Sequence, residues 1–103
     1  MAPQVPSAAT LAKYGLTADE WLAIFERQGG VCAVCRKLPS TGRLNVDHEH
    51  VKGWKKLPAD ERKKYVRGLL CYVCNHRVLT RGVTVERLRG AVEYLSRGYA
   101  FQS

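Results

Sequence analysis

The sequence predicts a small α+β domain, and three of its features lead to this fold class. Its 103 residues suffice for one domain with a modest core. Helical patterns begin near Thr17 and Thr84, whereas the part between Val31 and Cys74 is short of helical period. Two Cys-x-x-Cys pairs stand at the ends of that middle part. A chain of this size gains from such a staple, because its core alone stabilises it weakly.

The N-terminal end is expected to lie outside the folded domain. Residues 1–15 hold two prolines and several small residues without an apolar period, which predicts a flexible tail. Residues 16–103 are then predicted to form a single domain.

The first helix is expected to begin at Thr17. Thr17 is a suitable N-cap, and Glu20 stands at the position that completes a capping box. The glycine pair Gly29–Gly30 is expected to end this helix.

The middle of the chain predicts one short strand and one irregular stretch. Residues 43–46 are interpreted as a strand that follows a turn at residues 39–42. The charged residues 52–65 are interpreted as an insertion or loop, in which Pro58 could open a short helix.

The C-terminal part predicts two helices. Residues 75–79 are interpreted as a short helix, and Thr84 as the N-cap of a longer one. The longer helix has apolar residues at helical spacing, namely Val85, Leu88, Ala91, Val92 and Leu95. This stripe is expected to pack against the core, and a dimer surface is the alternative.

Four cysteines predict a structural zinc site. Cys32 and Cys35 form one Cys-x-x-Cys pair, and Cys71 and Cys74 form the second. Two such turns together complete a tetrahedral zinc site. A redox motif needs only one pair in a βαβ setting, and two disulfides would require an oxidising compartment. Four thiolates leave no open position, so this zinc would be structural.

The residues between and just after the cysteines predict a second, catalytic metal site. Asp47 and Asn75 offer oxygen ligands suited to magnesium, and manganese is also compatible. The adjacent His48, neutral near pH 7, could take a proton from an attacking water. Neighbouring residues of a regular strand point to opposite faces, so the strand is expected to end or bulge between Asp47 and His48.

The charge balance predicts a polyanionic partner, most simply nucleic acid. The chain has 17 Lys and Arg against 9 Asp and Glu, a net charge of +8. A solubilising surface charge is the alternative. The sequence lacks a persuasive membrane segment or secretory signal, so we expect no membrane association and a cytoplasmic location.

Together the motifs resemble those of the phage recombination endonuclease VII family of HNH nucleases. The resemblance covers about residues 14–82 and rests on the two cysteine pairs, on Asp47-His48-Glu49-His50, and on the Arg67-Gly68-Leu69-Leu70 run that precedes Cys71. It implies a ββα-metal core, also called the HNH or His-Me finger, with a structural zinc held by the four cysteines and with flanking N- and C-terminal helices.

The resemblance also implies roles for individual residues. Asp47 and Asn75 would hold the catalytic divalent ion, His48 would be the general base, and His50 would contact phosphate or support the transition state. The stretch between His50 and Arg67 is longer than in compact relatives. This difference, with the short region after the last helix, weakens the expectation of four-way-junction specificity.

Several side chains are expected to meet the DNA backbone, namely Arg67, Lys52, Lys55, Lys56, Lys63, Lys64 and His76. Arg67 could instead pair with Glu49, and His76 could be a spare zinc ligand. Trp54 is expected to cap the core, with stacking on a base as the alternative.

The sequence thus predicts a divalent-metal-dependent DNA endonuclease of phage type that nicks DNA or cuts both strands. Genome packaging, with terminase or other packaging proteins as partners, and junction resolution are both compatible with the motifs. A non-catalytic zinc-knuckle DNA-binding module and a structural zinc adaptor are the alternatives. The sequence does not distinguish a monomer from a homodimer.

Overall fold

A computed structural model describes residues 3–101, which form a small α+β structure of the predicted class. Its α-helices are α1 (Ala8–Lys13), α2 (Ala18–Arg27), α3 (Ala59–Lys63) and α4 (Val85–Ser96). Its strands are β1 (Asn45–His48) and β2 (Val66–Leu70), which pair in antiparallel fashion. A 3₁₀ turn (Trp54–Lys56) lies between the strands, and a π-helical turn (Cys74–Val78) follows β2.

Helix α1 lies inside the segment that was expected to be a flexible tail. The Ser7 side chain caps this helix by accepting a hydrogen bond from the Thr10 backbone N–H at 3.2 Å. Leu11 is only 3% exposed and belongs to the core. One buried leucine and a serine cap are thus enough to fix this turn of helix against the domain.

Helix α2 confirms the prediction of a capping box. The Thr17 N–H donates to Glu20 Oε1 at 2.9 Å, and the Glu20 N–H donates to Thr17 Oγ1 at 3.1 Å. The helix contributes Trp21, which is 0% exposed and stacks on Phe25. Gly29 and Gly30 follow with positive φ angles, as expected for the end of the helix.

The side chain of Gln28 links the end of α2 to β2. Its Nε2 donates to the carbonyls of Val31 and Leu69, each at 2.9 Å, and its Oε1 accepts from the Leu69 N–H at 2.8 Å. Gly68 allows this approach, because a Cβ there would lie 2.9 Å from Gln28 Oε1. The amide therefore completes hydrogen bonds along the free edge of β2.

Strand β1 begins two residues later than predicted. Gly42 N–H donates to the Pro39 carbonyl at 2.8 Å and Arg43 N–H donates to Thr41 Oγ1, so Arg43 still belongs to the turn. The strand register changes between Asp47 and His48, but β1 itself neither ends nor bulges there, contrary to the prediction.

A β-bulge causes this register shift, and its extra residue lies on β2. Asp47 lies opposite Gly68 and His48 lies opposite Val66, which leaves Arg67 as the unpaired residue. The alternation of side chains along β1 is therefore kept, and Asp47 and His48 line different grooves.

Residues 52–65, interpreted as an insertion or loop, contain two short helical pieces. The 3₁₀ turn comes first, and α3 follows Pro58 as expected. The side chain of Arg62 holds this segment together by donating to three backbone carbonyls.

The prediction that α4 packs against the core is wrong. Thr84 caps this helix as expected, accepting from Arg87 N–H at 3.1 Å. However, α4 has no buried residue, and Val92 and Leu95 are 66% and 77% exposed. Helix α2, the sheet and the cysteines already close the core, so the periodic stripe has no interior to enter.

Residues 3–101 contain no helix that is both long and apolar enough to cross a membrane.

Candidate metal centre and candidate active-site clefts

The four cysteines lie together as a candidate metal centre. The sulfur atoms of Cys32, Cys35, Cys71 and Cys74 all lie within 4.8 Å of one another, and the Cys35 and Cys71 sulfurs are 3.9 Å apart. A tetrahedral zinc with Zn–S bonds of about 2.3 Å would place its sulfur ligands about 3.8 Å apart. The cluster is therefore positioned to bind zinc, as predicted.

The protonation of the cluster also suits a cation. Burial raises the pKa of the Cys32 thiol, but the backbone N–H groups of Cys35, Cys71 and Val34 outweigh it and lower the pKa to about 6. Burial, followed by the neighbouring thiols, raises the pKa of Cys74 to about 12. The protein alone thus favours the thiolate of Cys32, and a bound dication would favour ionisation of Cys74 as well.

His76, considered above as a spare zinc ligand, is not part of this cluster. Its ring lies 4.4 Å from that of Tyr72, between ring centroids, and both side chains are exposed. This leaves phosphate contact or plain surface exposure as its role.

Asp47 is held by an arginine that was expected to pair elsewhere. Arg67 Nε donates to Asp47 Oδ2 at 2.8 Å, and Arg67 Nη2 donates to Asp47 Oδ1 at 3.1 Å. Nη2 also lies 3.4 Å from the His48 carbonyl. The alternative that Arg67 pairs with Glu49 is therefore wrong, since its side-chain ion pair is with the Asp47 carboxylate, which is only 5% exposed.

His48 lines a cleft of about 700 Å³, which we call the His48 cleft. Its imidazole lies among the rings of Trp54, His50 and Tyr14, with centroid distances of 4.1, 4.9 and 5.6 Å. Burial, followed by the charge of His50, lowers the pKa of His48 below its ordinary 6.5. The imidazole is therefore neutral at pH 7 and able to accept a proton.

The His48 cleft is strongly basic. Five cationic side chains line it, namely Lys13, Lys55, Lys56, Arg62 and Arg81. Among residues 3–101, no acidic residue lines it. Such a wall attracts phosphate groups and raises their local concentration.

Asn75 lies outside the His48 cleft, in a neighbouring one of about 690 Å³ that we call the Asn75 cleft. Tyr14 lines both clefts, which therefore adjoin at its ring. Asp47 lines a third, smaller groove together with Arg67. The structure thus places Asp47, His48 and Asn75 in three separate surface depressions rather than around one cavity, and only the His48 and Asn75 clefts share a lining residue.

The cations predicted to meet DNA differ in how free they are. Lys63 pairs with Glu20, and Lys64 pairs with Glu61 at 3.0 Å, so their charges are partly neutralised. The lysines of the predicted set that have no ion pair among residues 3–101 are Lys52, Lys55 and Lys56, of which the last two line the His48 cleft.

Sequence reasoning missed three lining residues of the His48 cleft, Tyr14, Lys13 and Arg81, and favoured another place for a fourth, Trp54. The first two were assigned to the tail, and a helix signal was available in Ser7 followed by Ala-Ala-Thr-Leu. Trp54 was expected to cap the core, but it lies outside the buried cluster and forms a wall of the cleft instead. No local pattern signals this contact.

Comparisons with known proteins agree with the motifs. A family model described as recombination endonuclease VII matches residues 7–97. The chain is 40% identical over 94 residues to a "Gene 59 protein" of Mycobacterium phage D29, and 39% identical over 94 residues to that of Mycobacterium phage L5.

These alignments cover 89% of this chain but 50% and 51% of the two relatives, so the chain spans about half their length. No solved structure matches the chain significantly.

Proposed function

Since this chain belongs to the recombination endonuclease VII family, we propose that it is a metal-dependent DNA endonuclease of the HNH type. The observation that carries the proposal is the His48 cleft, in which a neutral imidazole stands among five cations at the end of β1. A phosphodiester bound there would have its charge neutralised beside a group able to accept a proton from water.

In this proposal His48 is the general base. Among residues 3–101 no hydrogen bond to its ring nitrogens is present, so the ring nitrogen without a hydrogen is free to accept a proton from a water molecule. Lys55, Lys56 and Arg81 hold the phosphate in the cleft, and His50 contacts a phosphate oxygen. DNA bound across Tyr14 would also reach Asn75 and His76 in the adjoining cleft.

A catalytic magnesium or manganese ion belongs to the proposal. The carboxylate of Asp47 and the amide oxygen of Asn75 are hard oxygen donors and fit such an ion in chemistry. When bound, it would supply Lewis-acid stabilisation of charge on the phosphate. Arg67 donates to both oxygens of Asp47, so its guanidinium charge competes with a metal ion for this carboxylate, and movement of Arg67 would favour metal binding. Once released, Arg67 could contact a DNA phosphate.

The remaining parts of the proposal follow from the family. The cysteine cluster would hold a structural zinc that fixes the start of the π-helical turn, and with it Asn75, relative to β2. The two-stranded sheet and this turn would correspond to the ββα-metal core. DNA is the proposed partner, in junction resolution or in packaging beside terminase. The phage relatives suggest action in the cytoplasm of an infected cell.

A non-catalytic DNA-binding module is the second candidate. It is favoured by the Arg67–Asp47 pair, which neutralises the carboxylate that a nuclease would offer to a metal. Such a module would bind DNA with the same basic cleft but would not cut it.

Cleavage of a supercoiled plasmid and of a four-way junction, beside a linear duplex of equal length, tests the proposal. The zinc-loaded protein is assayed with Mg²⁺, with Mn²⁺ and without added divalent ion. We expect cleavage only with added metal, and its loss in His48→Ala. Faster cleavage of the junction than of the duplex would favour junction resolution.

A matched pair of charge variants tests the role of the cleft. Lys55→Gln should weaken DNA binding and reduce its salt dependence by about one phosphate contact. Arg97→Gln, at the end of α4, removes the same charge away from the cleft and serves as control. Salt-dependent DNA binding without cleavage under any divalent ion would instead support the binding module.

A further inference from the structure

The aromatic side chain of Trp54 lies flat against the imidazole of His48. The two ring centroids are 4.1 Å apart and the ring planes differ by only 21°. Trp54 belongs to the 3₁₀ turn in the segment between the strands, so this segment folds back over the end of β1. The contact therefore joins the stretch between His50 and Arg67 to the candidate base His48.

No hydrogen bond orients the imidazole within residues 3–101. His50 and Tyr14 approach at 58° and 52°, and neither makes the near-parallel contact that Trp54 makes. Ring packing is therefore what fixes the His48 side chain, and Trp54 provides the closest of these contacts.

Trp54 is itself held in place by Arg62. The guanidinium carbon of Arg62 lies over the Trp54 ring, 5.4 Å from its centroid. Three carbonyls fix this guanidinium: Nε donates to Leu57 at 2.8 Å, Nη1 to Lys13 at 3.1 Å, and Nη2 to Lys55 at 3.2 Å. The Arg62 guanidinium is thus engaged in contacts within the fold.

From this geometry we propose that Trp54 is a positioning residue for His48 and that Arg62 clamps Trp54 in its place. The proposal rests on the proposed role of His48 as general base. Misplacement of a reacting group by about 1 Å can cost about 100-fold in rate, so a lost ring contact should have a measurable effect. Trp54 would act through His48, because an indole neither gives up nor accepts a proton near neutral pH and its Nε1 is buried.

Histidine NMR tests the positioning without any catalysis. The chain has three histidines, so the spectrum of the zinc-loaded, histidine-labelled protein contains three imidazoles. The ring current of Trp54 should shift the carbon-bound His48 protons upfield. Trp54→Leu should abolish the shift, and Trp54→Phe should retain part of it because an aromatic face remains. Arg62→Gln should reduce the shift by loosening Trp54.

A second aromatic pair provides the matched control. Tyr72→Leu should change the signals of His76, whose ring Tyr72 contacts, and leave those of His48 unchanged. Circular dichroism and thermal unfolding show whether each variant folds. If Trp54→Leu does not fold, the effect of Arg62→Gln on the His48 signals still tests the proposal.

Cleavage kinetics complete the test. Trp54→Leu should lower kcat about 10- to 100-fold with little change in KM, and Trp54→Phe should recover most of the rate. Unchanged His48 signals in folded Trp54→Leu, or unchanged kcat despite altered signals, would overturn the positioning role. If His48→Ala cuts as fast as the wild-type protein, the proposed function fails instead, whatever the spectra show.

Discussion

The ion pair between Arg67 and Asp47 offers the sharpest test of how stability and metal binding are linked in this fold. Asp47 is 5% exposed, and Arg67 is its only ion-pair partner among residues 3–101. Arg67→Gln removes this partner. Breaking a buried pair costs about 3–5 kcal/mol, and hydrogen bonds to charged groups contribute about 1.5–3 kcal/mol. Because the Arg67 side chain is 46% exposed, we expect the lower part of this range, about 2 kcal/mol.

Thermal unfolding at pH 7 measures this cost in zinc-loaded protein without other divalent ions. A loss of about 2 kcal/mol corresponds to a decrease in Tm of roughly 8–16 °C for a domain of this size. A double-mutant cycle with Asp47→Asn isolates the pair, and we expect a coupling energy above about 1 kcal/mol. The same cycle on Lys64 and Glu61, an exposed pair, should give less than about 1 kcal/mol.

The same variant should bind Mn²⁺ more tightly than the wild-type protein, because a cationic guanidinium no longer competes with the metal ion for the carboxylate. Isothermal titration calorimetry of zinc-loaded protein measures this directly. Equal stability of Arg67→Gln and wild type, together with a coupling energy near zero, would refute the reasoning. If Arg67→Gln nevertheless bound Mn²⁺ more tightly, the loss of the Arg67–Asp47 ion pair could not be the cause.

Four further predictions concern the fold and the proposed chemistry. Gly15→Ala should lower the free energy of unfolding by at least about 2 kcal/mol in chemical denaturation, because Gly15 has a positive φ and a Cβ there would overlap the Ala59 carbonyl oxygen. Gly29 also has a positive φ but faces open space, so Gly29→Ala should lower it by only about 1 kcal/mol. Removal of zinc with a strong chelator should abolish the cooperative thermal transition, and a folded apo form with unchanged Tm would argue against a structural metal. Burial lowers the pKa of His48, so the acidic limb of the cleavage pH profile should have its midpoint below 6.5, with activity lost as pH falls; a midpoint above that value would point to another base. Leu95→Ser should change the free energy of unfolding by less than about 0.5 kcal/mol because Leu95 is 77% exposed, and a larger, concentration-dependent loss would mean that α4 is covered in solution.

The parts of the fold that the sequence predicted well are those with local signals. The Thr17 capping box and the turn before β1 depend on side chains within four residues of one another, and both are confirmed. The cysteine cluster is non-local, yet its geometry is implied by the spacing because each pair is a compact turn.

The remaining features depend on packing that periodicity does not encode. The stripe of α4 shows which side of the helix is apolar, but whether a core is available to it depends on α2 and the sheet. Arg67 is 20 positions from Asp47, and only the bulge in β2 brings the two side chains together. The stacking of Trp54 on His48 likewise depends on how residues 51–65 fold back.

The cysteine cluster also has a consequence for the order of folding events. Cys35 and Cys71 are 36 positions apart, and both strands lie within the loop that they enclose. When the metal closes this loop, the remaining entropic cost of pairing β1 with β2 falls. Conversely, when the strands pair first, the two cysteine pairs are brought close together, which raises the effective concentration of one pair for a metal ion bound by the other. Metal capture and strand pairing therefore accelerate each other, so the refolding rate should depend on zinc concentration until metal capture ceases to be limiting.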